Sequence, residues 1–151
     1  MMDLSEYGIL VVEDNASDIV FIRRAFRQAS LGDRIHIVHD GDQAVAYLTG
    51  HQEYGDRHQH PLPALILLDL KLPRRSGLEV LGWLRDQPVL KRIPVIVLTS
   101  SRQDTDVNLA FELGANSYLV KPVNLSALNQ MVKMIDSYWL KLNQFPDLLM
   151  A

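Results

Sequence analysis

Five side chains in this sequence could do chemistry together: Glu13, Asp14, Asp69, Thr99 and Lys121. Each ends or directly follows a run of apolar residues. Ile9-Leu10-Val11-Val12 leads to Glu13 and Asp14, and Leu65-Ile66-Leu67-Leu68 leads to Asp69. Val95-Ile96-Val97-Leu98 leads to Thr99, and Ser117-Tyr118-Leu119-Val120 leads to Lys121. A carboxylate straight after a buried run is costly unless something pairs with it or uses it. Two or three carboxylates on one spot repel each other and stay ionised only around a cation. The available ligands are oxygens, which favours a hard ion such as Mg²⁺ held by few carboxylates and several waters. Such a site suits a phosphate. An ionised aspartate can attack phosphorus and form an aspartyl phosphate. Mg²⁺ and Lys121 would neutralise the equatorial oxygens, and the Thr99 hydroxyl could donate to one of them.

The elements that must position these groups follow from the apolar pattern. Runs without alternation suit strands buried on both faces of a sheet. Strands are expected at Ile9–Val12, Ile35–Val38, Leu65–Asp69, Val95–Leu98 and Ser117–Val120. Between them lie helical patterns. The first is capped by Asn15 or Ser17, with Ile19, Ile22, Phe26 and Ala29 on one face. The second spans Gln43–Leu48, the third Gly77–Gln87 and the fourth Asp104–Leu113, with Gly114 as a left-handed cap. The last starts at Asn124 or Ser126. Alternating strands and helices make a parallel sheet covered on both faces. All strands then run the same way, and ligands bind at their carboxyl ends. There the five side chains gather.

Two stretches fall outside this frame. Thr49–Pro63 reads as a long surface loop, and its His51, His58 and His60 as solvated rather than metal-binding. In the last helix Leu125, Leu128, Val132, Ile135, Trp139 and Leu142 are spaced 3, 4, 3, 4, 3. The first half of that stripe must cover the sheet. Its end, with Trp139, Leu142 and Phe145 to Leu149, is expected to form a homodimer contact.

Composition narrows the class. With 151 residues and 48% apolar side chains, one domain with a real core is expected. A core of about 8–137 and a C-terminal extension of about 138–151 are anticipated. A net charge of −3 gives no hint of nucleic-acid binding. The chain has no cysteine, which excludes disulfides, thiolate metal sites and a thioether-linked chromophore. Met1 to Gly8 has no signal-peptide pattern, and no run approaches the roughly 20 apolar residues of a membrane helix. A cytoplasmic protein without membrane or nucleic-acid partners is expected.

Taken together, Val12-Glu13-Asp14, Leu68-Asp69-Leu70-Lys71-Leu72-Pro73, Gly77, Thr99-Ser100, Gly114-Ala115 and Tyr118-Leu119-Val120-Lys121-Pro122 resemble the receiver domain of two-component response regulators. The spacing fits too: Thr99 lies 30 residues after Asp69, and Lys121 lies 22 after Thr99. The resemblance covers nearly the whole chain. It implies a flavodoxin-like fold of strand order 2-1-3-4-5. It implies Asp69 as phosphoacceptor, fed by a sensor histidine kinase. Asp14 and the Lys71 main-chain carbonyl would ligate Mg²⁺, with Glu13 helping. Lys121 would grip the phosphoryl group, and the Lys121–Pro122 bond would be cis. Thr99 and Tyr118 would form a switch pair acting on the face of the fourth helix, fifth strand and fifth helix. The long loop and the Tyr138-Trp139-Leu140 ending are similar to those of single-domain regulators serving cyanobacterial phytochrome-type kinases.

Two other functions compete. A hydrolase with an aspartyl-phosphate intermediate would want a second acid two residues after the nucleophile, where Lys71 stands. A flavodoxin-like electron carrier would want small hydroxyl residues after the first strand, where Glu13 and Asp14 would repel phosphate.

Overall fold

The computed structural model describes residues 7–149. Five parallel strands form one sheet in the order β2-β1-β3-β4-β5, with β1 at Gly8–Val12, β2 at Ile35–Val38, β3 at Pro63–Leu68, β4 at Val95–Thr99 and β5 at Ser117–Val120. Every residue of the three central strands is buried, as the unbroken apolar runs require. The edge strand β5 is only half-buried.

Register brings the strand ends level. Val12 pairs with Leu68, Leu68 with Val97, and Thr99 with Val120. The ladder continues one step: Asp69 N–H donates to the Val12 carbonyl at 3.1 Å, and Lys121 N–H to the Thr99 carbonyl at 2.8 Å.

Helices α1 (Ala16–Gln28) and α5 (Leu125–Ile135) pack together, while α2 (Gly41–Thr49), α3 (Gly77–Arg85) and α4 (Asp104–Glu112) form the other layer. Side-chain caps start four of the five helices. Asn15, Asp40 and Asn124 cap α1, α2 and α5 through their side chains, and Ser76 with Glu79 forms a capping box on α3. Each such cap stabilises its helix by about 1 kcal/mol. Gly77 is required by contact: a Cβ there would lie 2.1 Å from the Asp69 carbonyl oxygen, so only glycine lets α3 start under the acid.

Two expectations change. The Thr49–Pro63 segment is folded onto α2 rather than merely solvated. Residues Gln52–Gly55 make a 3₁₀ turn, and the Tyr54 ring centre lies 5.2 Å from that of Tyr47 and 5.1 Å from that of His60. Arg57 donates to the carbonyls of Tyr47, Leu48 and His60 at 2.8, 3.0 and 3.2 Å. Rings with polar edges read as loop residues in sequence, yet they pack by their apolar faces.

The last helix also departs from its stripe. A π-helical stretch, Asp136–Leu142, follows α5, and Asn143 N–H bonds the Tyr138 carbonyl five residues back at 2.7 Å. The wider turn advances the inward face by one residue. Leu128, Val132 and Ile135 are buried as expected, but Leu140 then takes the buried place, leaving Trp139 half-buried. The chain beyond folds back: Leu148 is buried, and the Phe145 ring lies 4.8 Å from that of Tyr7.

Candidate phosphoacceptor and metal site

The carboxyl edge of the sheet carries the five groups singled out by sequence. Glu13, Asp69 and Thr99 are buried, while Asp14 is exposed. Carboxylate oxygens of Glu13, Asp14 and Asp69 all lie within 4.8 Å of one another. Lys121 reaches over from the end of β5. Its Nζ donates to Glu13 Oε1, to Asp69 Oδ2 at 2.9 Å and to Asp18 Oδ2 at 2.8 Å. An ammonium has three N–H donors, and all three are engaged.

The acids divide the charge unequally. Burial pushes the Glu13 carboxyl up to about 8, helped by a hydrogen bond shared with Asp69 and opposed by Lys121. Burial also works to raise Asp69, but hydrogen bonds from Glu13, Lys121 and Thr99 and the Lys121 charge hold it below its ordinary value. Burial works against the Lys121 ammonium, yet bonds to Asp18, Glu13 and Asp69 raise it above the usual lysine value. Asp69 is therefore an ionised, desolvated carboxylate at neutral pH, as a nucleophile must be.

Two buried acids and one exposed acid around a single ammonium fit a hard divalent cation. They supply oxygen ligands, leave the outer side to water, and carry more negative charge than Lys121 offsets. Lys71 is exposed beside them, and its N–H lies 3.4 Å from Asp69 Oδ1.

Thr99 and Tyr118 meet through a third residue. Ser101 N–H donates to Thr99 Oγ1 at 3.5 Å, and the Tyr118 hydroxyl donates to the Ser101 carbonyl at 3.0 Å. The ring of Tyr118 is half-buried.

One sequence expectation needs amendment, and one residue is added. Among the described residues no peptide bond is cis, so the Lys121–Pro122 bond is trans; this is the isomer favoured by about 0.5–1 kcal/mol, and Lys121 reaches the acids from it. Phe145 lies against Tyr7 of its own chain, while Leu142 is 73% exposed. Asp18 was missed. In sequence it is an ordinary first-turn acid, which the helix dipole already explains.

Comparison with known proteins agrees with this arrangement. The family model described as the response regulator receiver domain matches residues 9–133. The chain is 41% identical over 138 residues to response regulator Rcp1 of Synechocystis sp., covering 91% of this chain and 92% of that protein. The phosphorylated cyanobacterial phytochrome response regulator RcpA superposes with a TM-score of 0.85 at 40% identity, covering 93% of this chain and 99% of RcpA. The Mn²⁺-bound form of Rcp1 superposes with a TM-score of 0.82, also at 40% identity and with coverage of 93% and 99%. With its parallel sheet, its acidic edge and its lysine at these spacings, the chain belongs to the response regulator receiver domain family.

Proposed function

We propose that this protein is a phosphorylated signalling switch whose acceptor is Asp69, charged by a phytochrome-type sensor histidine kinase. The observation that carries it is the ionised, buried Asp69 carboxylate lying 2.9 Å from Lys121 Nζ and within reach of Glu13 and Asp14. An Asp69 oxygen attacks the phosphorus of a phosphohistidine. The P–N bond breaks, and its electron pair leaves with the imidazole nitrogen. Glu13, Asp14, Asp69 and the expected Lys71 carbonyl would hold Mg²⁺, which would supply charge neutralisation to the transferring oxygens. Lys121 turns an N–H from Asp69 to a phosphoryl oxygen, and the Thr99 hydroxyl donates to another. The protein catalyses only its own phosphorylation and dephosphorylation.

The Thr99–Ser101–Tyr118 chain supports the switch. A pull on Thr99 moves the Ser101 main chain, to which Tyr118 is tied. The α4–β5–α5 face then shifts between two populations, with a coupling of about 1–3 kcal/mol. The likeness to Rcp1 and RcpA supports the choice of kinase. This reading carries a cytoplasmic location with it.

Homodimerisation is part of the proposal. The exposed row Met134, Tyr138 and Leu142 supports it, being 70%, 54% and 73% exposed at helical spacing. Trp139, whose ring centre lies 5.0 Å from that of Tyr138, is half-buried beside that row. Sedimentation of Leu142→Glu tests it: a monomer is expected, and an unchanged dimer removes this surface.

Phosphate-affinity gel mobility after incubation with acetyl phosphate and Mg²⁺ tests the acceptor. A retarded band is expected for the wild type and none for Asp69→Asn or with a chelator. A retarded band persisting in Asp69→Asn would refute the assignment.

A further inference from the structure

Lys121 has a third partner that the cation site does not share. Its Nζ lies 2.8 Å from Asp18 Oδ2, on the first turn of α1. Asp18 stands outside the trio of Glu13, Asp14 and Asp69 whose oxygens converge. The other two partners of Lys121, Glu13 and Asp69, belong to that trio. Lys121 and a divalent cation therefore compete for the same two carboxylates. When Glu13 and Asp69 turn their oxygens to a cation, Asp18 is the acceptor left to the ammonium.

We propose that Asp18 is the positioning residue of this site: it receives Lys121 from Glu13 and Asp69 as the cation binds, and holds the ammonium at the acceptor for phosphoryl capture. The proposal rests on the phosphoacceptor reading and adds to it the residue that orders Lys121. Asp18 is well placed for this. Its main-chain N–H is fixed by the Asn15 cap at 3.0 Å, so its carboxylate projects from a set helix start. Its side chain is 36% exposed against 15% for Lys121, so it sits at the rim while the ammonium sits within. A cleft lined by Asp18, Phe21, Lys121, Pro122 and Val123 opens beside the ammonium. Without the Asp18 charge, a rotamer-rich lysine has that cleft to swing into, or collapses back onto Glu13 and Asp69.

Both consequences are measurable. Asp18→Asn keeps the shape and the α1 cap but removes the charge. In the otherwise wild-type chain, Lys121 then competes harder for Glu13 and Asp69, and calorimetric titration with Mg²⁺ alone should show affinity about fivefold weaker. In a Lys121→Met background the same substitution should change Mg²⁺ affinity less than about twofold, because the effect runs through the ammonium. An equal loss in both backgrounds would make Asp18 a plain neighbouring charge and overturn the proposal, as would no loss in the first. Acetyl phosphate kinetics give a second arm. Asp18→Asn at saturating Mg²⁺ should lower the maximum phosphorylation rate about tenfold with the half-saturating donor concentration unchanged. A maximum rate within about twofold of wild type also overturns it. The titration needs no phosphorylation, so failure of Asp69 to accept phosphate in the wild type is a separate result against the acceptor reading.

Discussion

The two ends of this sheet are finished in opposite ways. At the carboxyl end, Glu13, Asp18 and Asp69 crowd around one ammonium with Asp14 beside two of them, and negative charge remains over. At the amino end, groups are matched to neutral partners. The Arg85 guanidinium gives its donors to the carbonyls of Lys91, Ile93 and Gly114 and to the Asn116 amide oxygen, at 2.6 to 3.1 Å. Arg92 donates to the Asp147 carbonyl at 2.8 Å, Phe145 packs on Tyr7, and Leu148 is buried. The matched end holds the fold. The unmatched end is stable only in part until a cation arrives, and that is what makes it responsive.

The largest effect expected from breaking this contrast is at Lys121. Lys121→Met removes the one ammonium shared by the acids, and should destabilise the metal-free protein by about 3 kcal/mol, as losing one partner of a buried ion pair does. Mg²⁺ should restore most of it. Denaturant unfolding with and without Mg²⁺ reads both, and a loss that Mg²⁺ leaves untouched would tie Lys121 to packing instead.

The matched end should behave differently. Leu148→Ala opens a cavity under the C-terminal strap and should cost about 2–3 kcal/mol, the usual range for a buried leucine. Its phosphorylation rate should stay at the wild-type value. A slowed rate in the folded variant would mean the two ends are coupled.

The remaining effect is in pH. Glu13 titrates near 8 in the folded protein against 4.5 ordinarily, so between those values the folded state holds the extra proton. Metal-free stability should fall as pH rises through that window. Mg²⁺ needs the ionised form, so its affinity should gain up to about tenfold per pH unit below 8 and level off above. Calorimetry across pH 6–9 measures this, and a flat profile in the wild type would remove Glu13 as the proton-linked ligand.

Much of the site was legible in sequence because burial leaves a plain mark. An unbroken apolar run that stops at a charge fixes a strand and its end together, and parallel strands bring Glu13, Asp69, Thr99 and Lys121 to one edge. What was not legible has physical causes. Asp18 meets Lys121 across 103 positions of sequence, and a first-turn acid has an ordinary explanation already. The π-helical turn leaves no mark, because Trp139 and Leu140 are both apolar and either could face inward. The Tyr47–Tyr54–His60 cluster looks polar in sequence because its rings carry polar edges. Family resemblance alone implies a cis bond before Pro122, and no local residue pattern decides between isomers.

The most direct test of the central claim is chemical mapping of the acyl phosphate. Borohydride reduces an aspartyl phosphate to homoserine, which peptide sequencing locates. After treatment with acetyl phosphate and Mg²⁺, homoserine is expected at position 69 and at no other acid. Homoserine at position 14 or 18, or 2-amino-5-hydroxypentanoic acid at position 13, with Asp69 intact, would contradict the account.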